Sequence, residues 1–302
     1  MRKIMLWIII ALITTNLLTL IFWRGVDETT QVPDQKQLTS DDATEDEPVV
    51  AIVDDERIHH QDWQDYLESH YGETGLREMI NHHVIQKLAE QHNIQVDPAI
   101  VDLEVSFLAT VHGELAEDQI KTIEEEWRRE IEDRLLTEML FTKDVTIPEE
   151  EIREYYDTYE RQYNFSQRIE LSHIVVDDLD TANRLYQELE EGADFKALAY
   201  EYTIDEDSRA TGGYIGFFAT QSTFLPTNYL EEASNIAPFN YTEPFLGNQG
   251  YVILYLHREL PELELEYDQI KDHIRVKLAI EELEETPSIE ALWEEFEIDW
   301  IY

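Results

Sequence analysis

The sequence predicts an α+β protein in which a helical body is split along the chain and a small sheet-containing module is inserted between its parts. Apolar residues recur at helical spacing from Leu76 to Tyr163 and again from Tyr267 to Phe296, the period of amphipathic helices. Between these regions, Ile169 to Val176 and Gly250 to His257 read as strands. The C-terminal helical stretch is too short to enclose a core, so it is expected to pack back onto the earlier helices. A chain of 302 residues with 43% hydrophobic content can build one or two such domains.

At the amino terminus, Ile4 to Trp23 is an uncharged run of 20 residues, preceded by Arg2 and Lys3 and followed by Arg24, Asp27 and Glu28. A helix of that length rises roughly 30 Å, the thickness of the hydrocarbon core. Phe22-Trp23-Arg24 offers no small-x-small cleavage signal, so the segment 1–24 is read as an uncleaved transmembrane anchor and not as a signal peptide. The basic residues before it outweigh Arg24, which places the bulk of the chain outside the cytoplasm. Residues 25–48 are polar and acidic with almost nothing apolar to bury, and read as a disordered acidic linker.

From Val49 the pattern changes. Val49 to Val53 reads as a short strand; Leu76, Ile80, Val84 and Leu88 mark a first helix ending at His92-Asn93. Val101, Val105 and Leu108 mark a second, and Ile120, Ile123, Trp127, Ile131, Leu135 and Met139 a third. Pro148 suits the first position of a fourth, Glu149 to Tyr163. After the strand-bearing region, Pro261 breaks the chain ahead of a helix with Tyr267, Ile270, Ile274 and Leu278, and Pro287 restarts a short helix ending near Phe296.

In the middle region Ile169, Leu171 and His173 alternate with Glu170 and Ser172, as in a strand with one buried face. Asp180 can cap a helix carrying Ala182, Leu185 and Leu189 that Gly192 stops. Phe195, Leu198, Ala199 and Tyr202 give a second apolar stripe. The signatures Ile-Glu-Leu-Ser-His-Ile-Val-Val (169–176), Thr-Gly-Gly-Tyr-Ile-Gly-Phe-Phe (211–218) and Gly-Tyr-Val-Ile-Leu-Tyr-Leu-His (250–257) occur in that order. This stretch resembles the parvulin-type (PpiC-like) peptidyl-prolyl cis-trans isomerases. The resemblance implies a small antiparallel sheet wrapped by helices over 166–259. Val-Val-Ala-Ile-Val-Asp-Asp-Glu-Arg-Ile (49–58) and Pro-Glu-Glu-Glu-Ile-Arg-Glu-Tyr-Tyr (148–156) also resemble the PrsA-like and SurA-like extracytoplasmic foldases. On that pattern 49–165 is a SurA-like helical domain of chaperone type, completed by the helices of 260–302.

Rotation about an Xaa-Pro bond meets a barrier of roughly 18–20 kcal/mol because the amide is partly double-bonded. Lowering it requires only that the twisted amide bind better than the planar one. No nucleophile, metal or cofactor is needed. The resemblance implies a polar floor of a strand histidine, matched by His173, and a cysteine or aspartate after the second helix, matched by Asp205. A second family histidine falls on Val252. The proline cradle falls on Phe218, Leu225 (or Pro226) and Leu230, with Phe217, Phe224 and Tyr229 as further aromatic surface. Read alone, His173 is an ordinary hydrogen-bonded strand histidine; its company with Asp205 and the Gly-Gly-Tyr-Ile-Gly motif gives it a site role.

Other features have simpler readings. The formal charge of −45 repels phosphate backbones and argues against nucleic acid as a partner; it reads as a solvated acidic surface. Cysteines are absent, which removes disulfides and the lipid-anchored cysteine of many PrsA-like proteins. Gly212, Gly213 and Gly216 precede no long helix and read as turn and close-packing positions, not a phosphate loop. The pairs His59-His60 and His82-His83 lack a third ligand at metal spacing. Tyr155, Tyr156, Tyr159 and Tyr163 read as packing residues, with a groove for unfolded polypeptide as the rival reading. The functional expectation is a membrane-anchored isomerase acting on unfolded or exported polypeptides with Xaa-Pro bonds. A non-catalytic chaperone with an eroded site is the alternative, and a homodimer is left open.

Overall fold

A hairpin opens the described part of the chain, which in this computed structural model comprises residues 48–302 apart from 284 and 286. The expected anchor, 1–24, and all of the linker but Pro48 lie outside it. Strands β1 (Val49–Val53) and β2 (Glu56–His59) pair antiparallel, and helix α1 (His60–His92) follows directly. The chain divides into two compact units at Gly72 and Glu73. In the first, Val50, Ile52, Val53, Ile58, Trp63, Tyr66 and Tyr71 are all exposed. Among the described residues no helix is long and apolar enough to cross a membrane.

In the second unit, α2 (Pro98–His112), α3 (Glu117–Phe141) and α4 (Glu149–Tyr159) form a helical scaffold. Pro148 sits one position earlier than expected, just before the first helical residue. The last turn tightens into a 3-10 segment, Glu160–Tyr163. Helix α9 (Tyr267–Glu282) inserts Ile270 and Ile274, both fully buried, into a core shared with Val101, Val105, Ile131, Leu135 and Ile152. The final 3-10 segment (Ile289–Glu295) adds Leu292 and Trp293 to a second cluster with Val84, Leu88 and Leu136. Of the four tyrosines, Tyr163 is buried and Tyr156 meets Tyr267 edge to face, while Tyr159 is exposed.

The α+β class and the small antiparallel sheet are as the sequence predicts. Between α4 and α9 lie β3 (Asn164–Phe165), β4 (Arg168–Val176), α5 (Leu179–Glu190), α6 (Phe195–Tyr202), α7 (Glu206–Arg209) and β5 (Tyr214–Ala219), then α8 (Tyr229–Ala233), β6 (Asn240–Tyr241), β7 (Phe245–Leu246), β8 (Tyr251–Leu260) and β9 (Leu263–Glu264). The main sheet runs β5-β4-β8-β6, with β7 also on β8. Strands β4 and β8 pair over their whole length, His173 opposite Leu254 and Val175 opposite Val252.

Two local expectations change. The cap of α5 is Asp178, whose carboxylate accepts from the Thr181 amide, and not Asp180, which lies in the first turn. Strand β4 is buried on both faces rather than one. Alternation misleads there because Glu170 and Ser172 are paired inside: Arg258 and Tyr214 hydrogen-bond Glu170, and Ser172 meets His257.

Candidate isomerase site

His173 is held from both ends of its ring. Its Nδ1 lies 2.7 Å from the Tyr229 hydroxyl, and its Nε2 lies 2.9 Å from Asp205 Oδ2 and 3.0 Å from Ser208 Oγ. The sequence brings these groups from three elements, and each is fixed by backbone chemistry. The Thr203–Asp205 loop is pinned to β4: Ile204 N–H donates to the Val175 carbonyl at 2.8 Å, and Val175 N–H to the buried Thr203 hydroxyl at 3.1 Å. Arg209 donates twice to the Thr203 carbonyl. Asp205 then caps α7, accepting from the amide and hydroxyl of Ser208.

The Gly-Gly-Tyr motif holds the other side of the strand. Gly213 has φ +84°, and its carbonyl accepts from His173 N–H at 2.8 Å. A Cβ there would stand 2.3 Å from the His173 carbonyl oxygen, so only glycine fits both the left-handed backbone and the close approach. The close-packing reading of this motif, in place of a phosphate loop, agrees with that geometry.

The charges follow from the partners. Burial lowers the His173 pKa against the opposing pull of Asp205, so its ring is neutral at pH 7. Desolvation acts to raise Asp205, yet the bonds from Ser208 and His173 prevail and hold its carboxyl below the usual range. Tyr229 is pushed up by burial and stays protonated.

An apolar cluster adjoins this polar line through Tyr229: Ile169, Leu171, Val175, Tyr229, Val252, Leu254 and Leu256, flanked by half-buried Phe218, Leu225 and Leu230. All the expected cradle residues therefore share one cluster with Tyr229. Leu225, Pro226 and Leu230 line a surface cleft of about 390 Å³ with Asn228, Ser222 and Glu231. His173 and Asp205 are not among its lining residues. Val252, expected to touch a ligand, is 1% exposed and packs within the cluster instead of facing solvent. Phe224 is turned out at 87% exposure, away from any such role. The sequence reading did not foresee Ser208 as a partner of His173, nor Tyr229 as anything beyond aromatic surface. Their contacts span 35 and 56 residues, and no local pattern carries them.

The PPIC-type PPIase domain family matches residues 147–272. YacD of Bacillus subtilis is 30% identical over 254 residues, covering 84% of this chain and 85% of that protein. The chain belongs to the PpiC-type, or parvulin, family of peptidyl-prolyl isomerases, with the PrsA-like foldases. The foldase protein PrsA of Halalkalibacterium halodurans is 29% identical over 75% of this chain and 70% of its own. Among solved structures, PrsA from Bacillus subtilis matches at 20% identity over 83% of this chain and 91% of that one, with a TM-score of 0.28.

Proposed function

We propose that this chain is a membrane-anchored extracytoplasmic foldase that accelerates cis-trans isomerisation of Xaa-Pro bonds in unfolded, exported polypeptides. The observation that carries the reading is the Tyr229–His173–Asp205 line, joined through Tyr229 to the apolar cluster that holds Phe218, Leu225 and Leu230, in a chain of this family. His173 and Asp205 are the proposed floor. Phe218, Leu225 and Leu230 are the proposed contacts to the pyrrolidine ring, with Val252 supporting them from beneath. The proposed organisation is an anchor (1–24), a linker (25–48), a helical domain (49–165) completed by 260–302, and an isomerase domain (166–259). The basic residues before the apolar run of the amino terminus support the orientation, and the names of the PrsA relatives support the foldase role.

The chemistry follows from amide resonance. Planar conjugation places negative charge on the carbonyl oxygen and double-bond character on C–N. A fixed carboxylate near that oxygen disfavours the planar form, and the apolar wall removes the water that would otherwise screen it. The twisted amide has lost that charge and is bound better, which is the condition for a lower barrier. His173, neutral and donating through Nε2, keeps Asp205 ionised and aimed. No bond is broken in the step.

A protease-coupled assay on an Xaa-Pro peptide tests this with the full-length chain. Faster isomerisation than buffer, lost in His173→Ala and in Asp205→Ala, supports the reading; equal rates in all three refute it. One observation favours a second reading, a holdase without turnover: the family's second histidine position is Val252. Suppression of aggregation of an unfolded protein, with no isomerisation by the wild-type chain, would select it.

A further inference from the structure

We propose that Tyr229 is the positioning residue of this site: its hydroxyl donates to Nδ1 of His173 and locks the imidazole in the tautomer whose Nε2–H points at Asp205. This rests on the isomerase reading and specifies how the floor works with valine at 252.

Proton accounting fixes the direction of each bond. Asp205 accepts from Ser208 O–H and N–H and is ionised, so it has no proton to offer His173. The proton between them therefore sits on Nε2. Nδ1 is then the bare nitrogen of a neutral ring, and the group within hydrogen-bond reach of it is the Tyr229 phenol at 2.7 Å. Nothing else supplies a donor to that nitrogen among the described contacts. If the ring took a second proton, the imidazolium would pair with Asp205 and cancel the charge on which the proposed chemistry depends.

The phenol is built into place. Asn228, left-handed at φ 72°, turns the chain into α8 and donates its side-chain amide to the Leu246 carbonyl at 3.1 Å. Tyr229 is 3% exposed. Its ring meets Phe245 edge to face at 5.7 Å and His173 at 5.9 Å. Val252 belongs to the same buried cluster, and both side chains border Gly247: a Cβ there would lie 2.7 Å from Val252 Cγ2 and 3.9 Å from Tyr229 Cε2. With valine at 252, the donor to His173 Nδ1 comes from Tyr229 on α8.

Two measurements on the full-length chain test the inference. The first needs no variant: ¹⁵N shifts of the His173 ring should show a bare, hydrogen-bonded Nδ1 and a protonated Nε2 in the wild type. The opposite tautomer overturns the proposal. The second is Tyr229→Phe, which keeps the ring and removes the donor. The titratable groups facing His173 are Asp205 from the α7 cap and Tyr229 from α8, so loss of the phenol should raise the His173 pKa and lower kcat/KM about tenfold. Phe245→Leu, which loosens the same cluster with the hydroxyl retained, should lower stability and leave the His173 titration in place. An unchanged titration and kcat/KM in folded Tyr229→Phe overturns the role. If the titration moves while the wild type has no isomerase activity, the functional reading fails and with it the role in turnover, although the hydrogen bond stands.

Discussion

The two faces of the central sheet carry the same kinds of residues to different ends. On one, His173 lies between a carboxylate and the phenol of Tyr229, which belongs to an apolar cluster with a half-buried edge at Phe218, Leu225 and Leu230. On the other, His257 meets Ser172 at 2.8 Å and approaches Glu114 at 3.6 Å, while Arg258 ties Glu170 at 2.6 Å to Glu124 of the scaffold at 2.9 Å. Lys196 closes that group on Glu114. A buried histidine beside a carboxylate is therefore no mark of a site by itself. What separates the faces is the chemistry of the surface beside them: on the second, Arg258 and Glu124 line a cleft of about 690 Å³ and fasten the sheet to the scaffold through charge, whereas the first borders the apolar edge of Phe218, Leu225 and Leu230.

The comparison breaks most visibly at the ion pair. Arg258→Met leaves Glu170, 1% exposed, without its cation, and should cost about 3–5 kcal/mol in urea denaturation. Replacing both Glu170 and Arg258 with methionine should recover most of that loss, since a buried pair is often no better than apolar packing. Isomerase activity of the folded fraction should survive in both variants.

Acid should strain the structural histidines next. Desolvation, assisted by Lys196 and Arg258, pushes His257 down to about 4; desolvation likewise pushes His273, edge to face with Tyr163, down to about 4. A histidine favoured neutral in the fold has no effect on stability above its unfolded value of about 6.5. As pH falls below that, the unfolded chain takes protons first and stability drops until about pH 4. Each residue accounts for at most about 3 kcal/mol of this loss. Denaturation midpoints across pH 7.5 to 4 should fall in the wild type and fall less in His257→Gln. His173, also lowered, adds to the slope, and its protonation should end turnover before the fold is lost.

Gly213→Ala should cost about 2–3 kcal/mol, because a β-carbon collides with the His173 carbonyl at a left-handed backbone. Asp205→Ala should cost about 1–2 kcal/mol, from the lost helix cap and the weakened pairing of His173 and Ser208, while removing the isomerase activity. That last contrast, small in stability and large in rate, is the sharpest sign of a working face.

Much of this was legible in the sequence because it is periodic or local. Helical spacing found α2, α3 and α9, and short signatures put His173, Asp205 and the glycine turn in order. The short apolar strands of β4 and β8 were legible for the same reason. The Asp178 cap was not, since Asp178 and Asp180 are both plausible by composition and only the Thr181 amide decides. The second buried face of β4 was hidden because Glu170 and Ser172 look like solvent-facing residues until Arg258 and His257, 88 and 85 positions away, are seen beside them. Tyr229 was hidden likewise: a tyrosine next to Leu230 in a short helix gives no sign that it ends on a histidine ring.

The most direct test compares the two histidines in one experiment, measuring kcat/KM on an Xaa-Pro peptide and urea stability for the wild type, His173→Ala and His257→Ala. The expected result is that His173→Ala abolishes acceleration while staying folded, and His257→Ala is less stable but keeps the kcat/KM of its folded fraction. Equal activity in the wild type and folded His173→Ala, or loss of turnover only in His257→Ala, would contradict the assignment of work to the Tyr229 face.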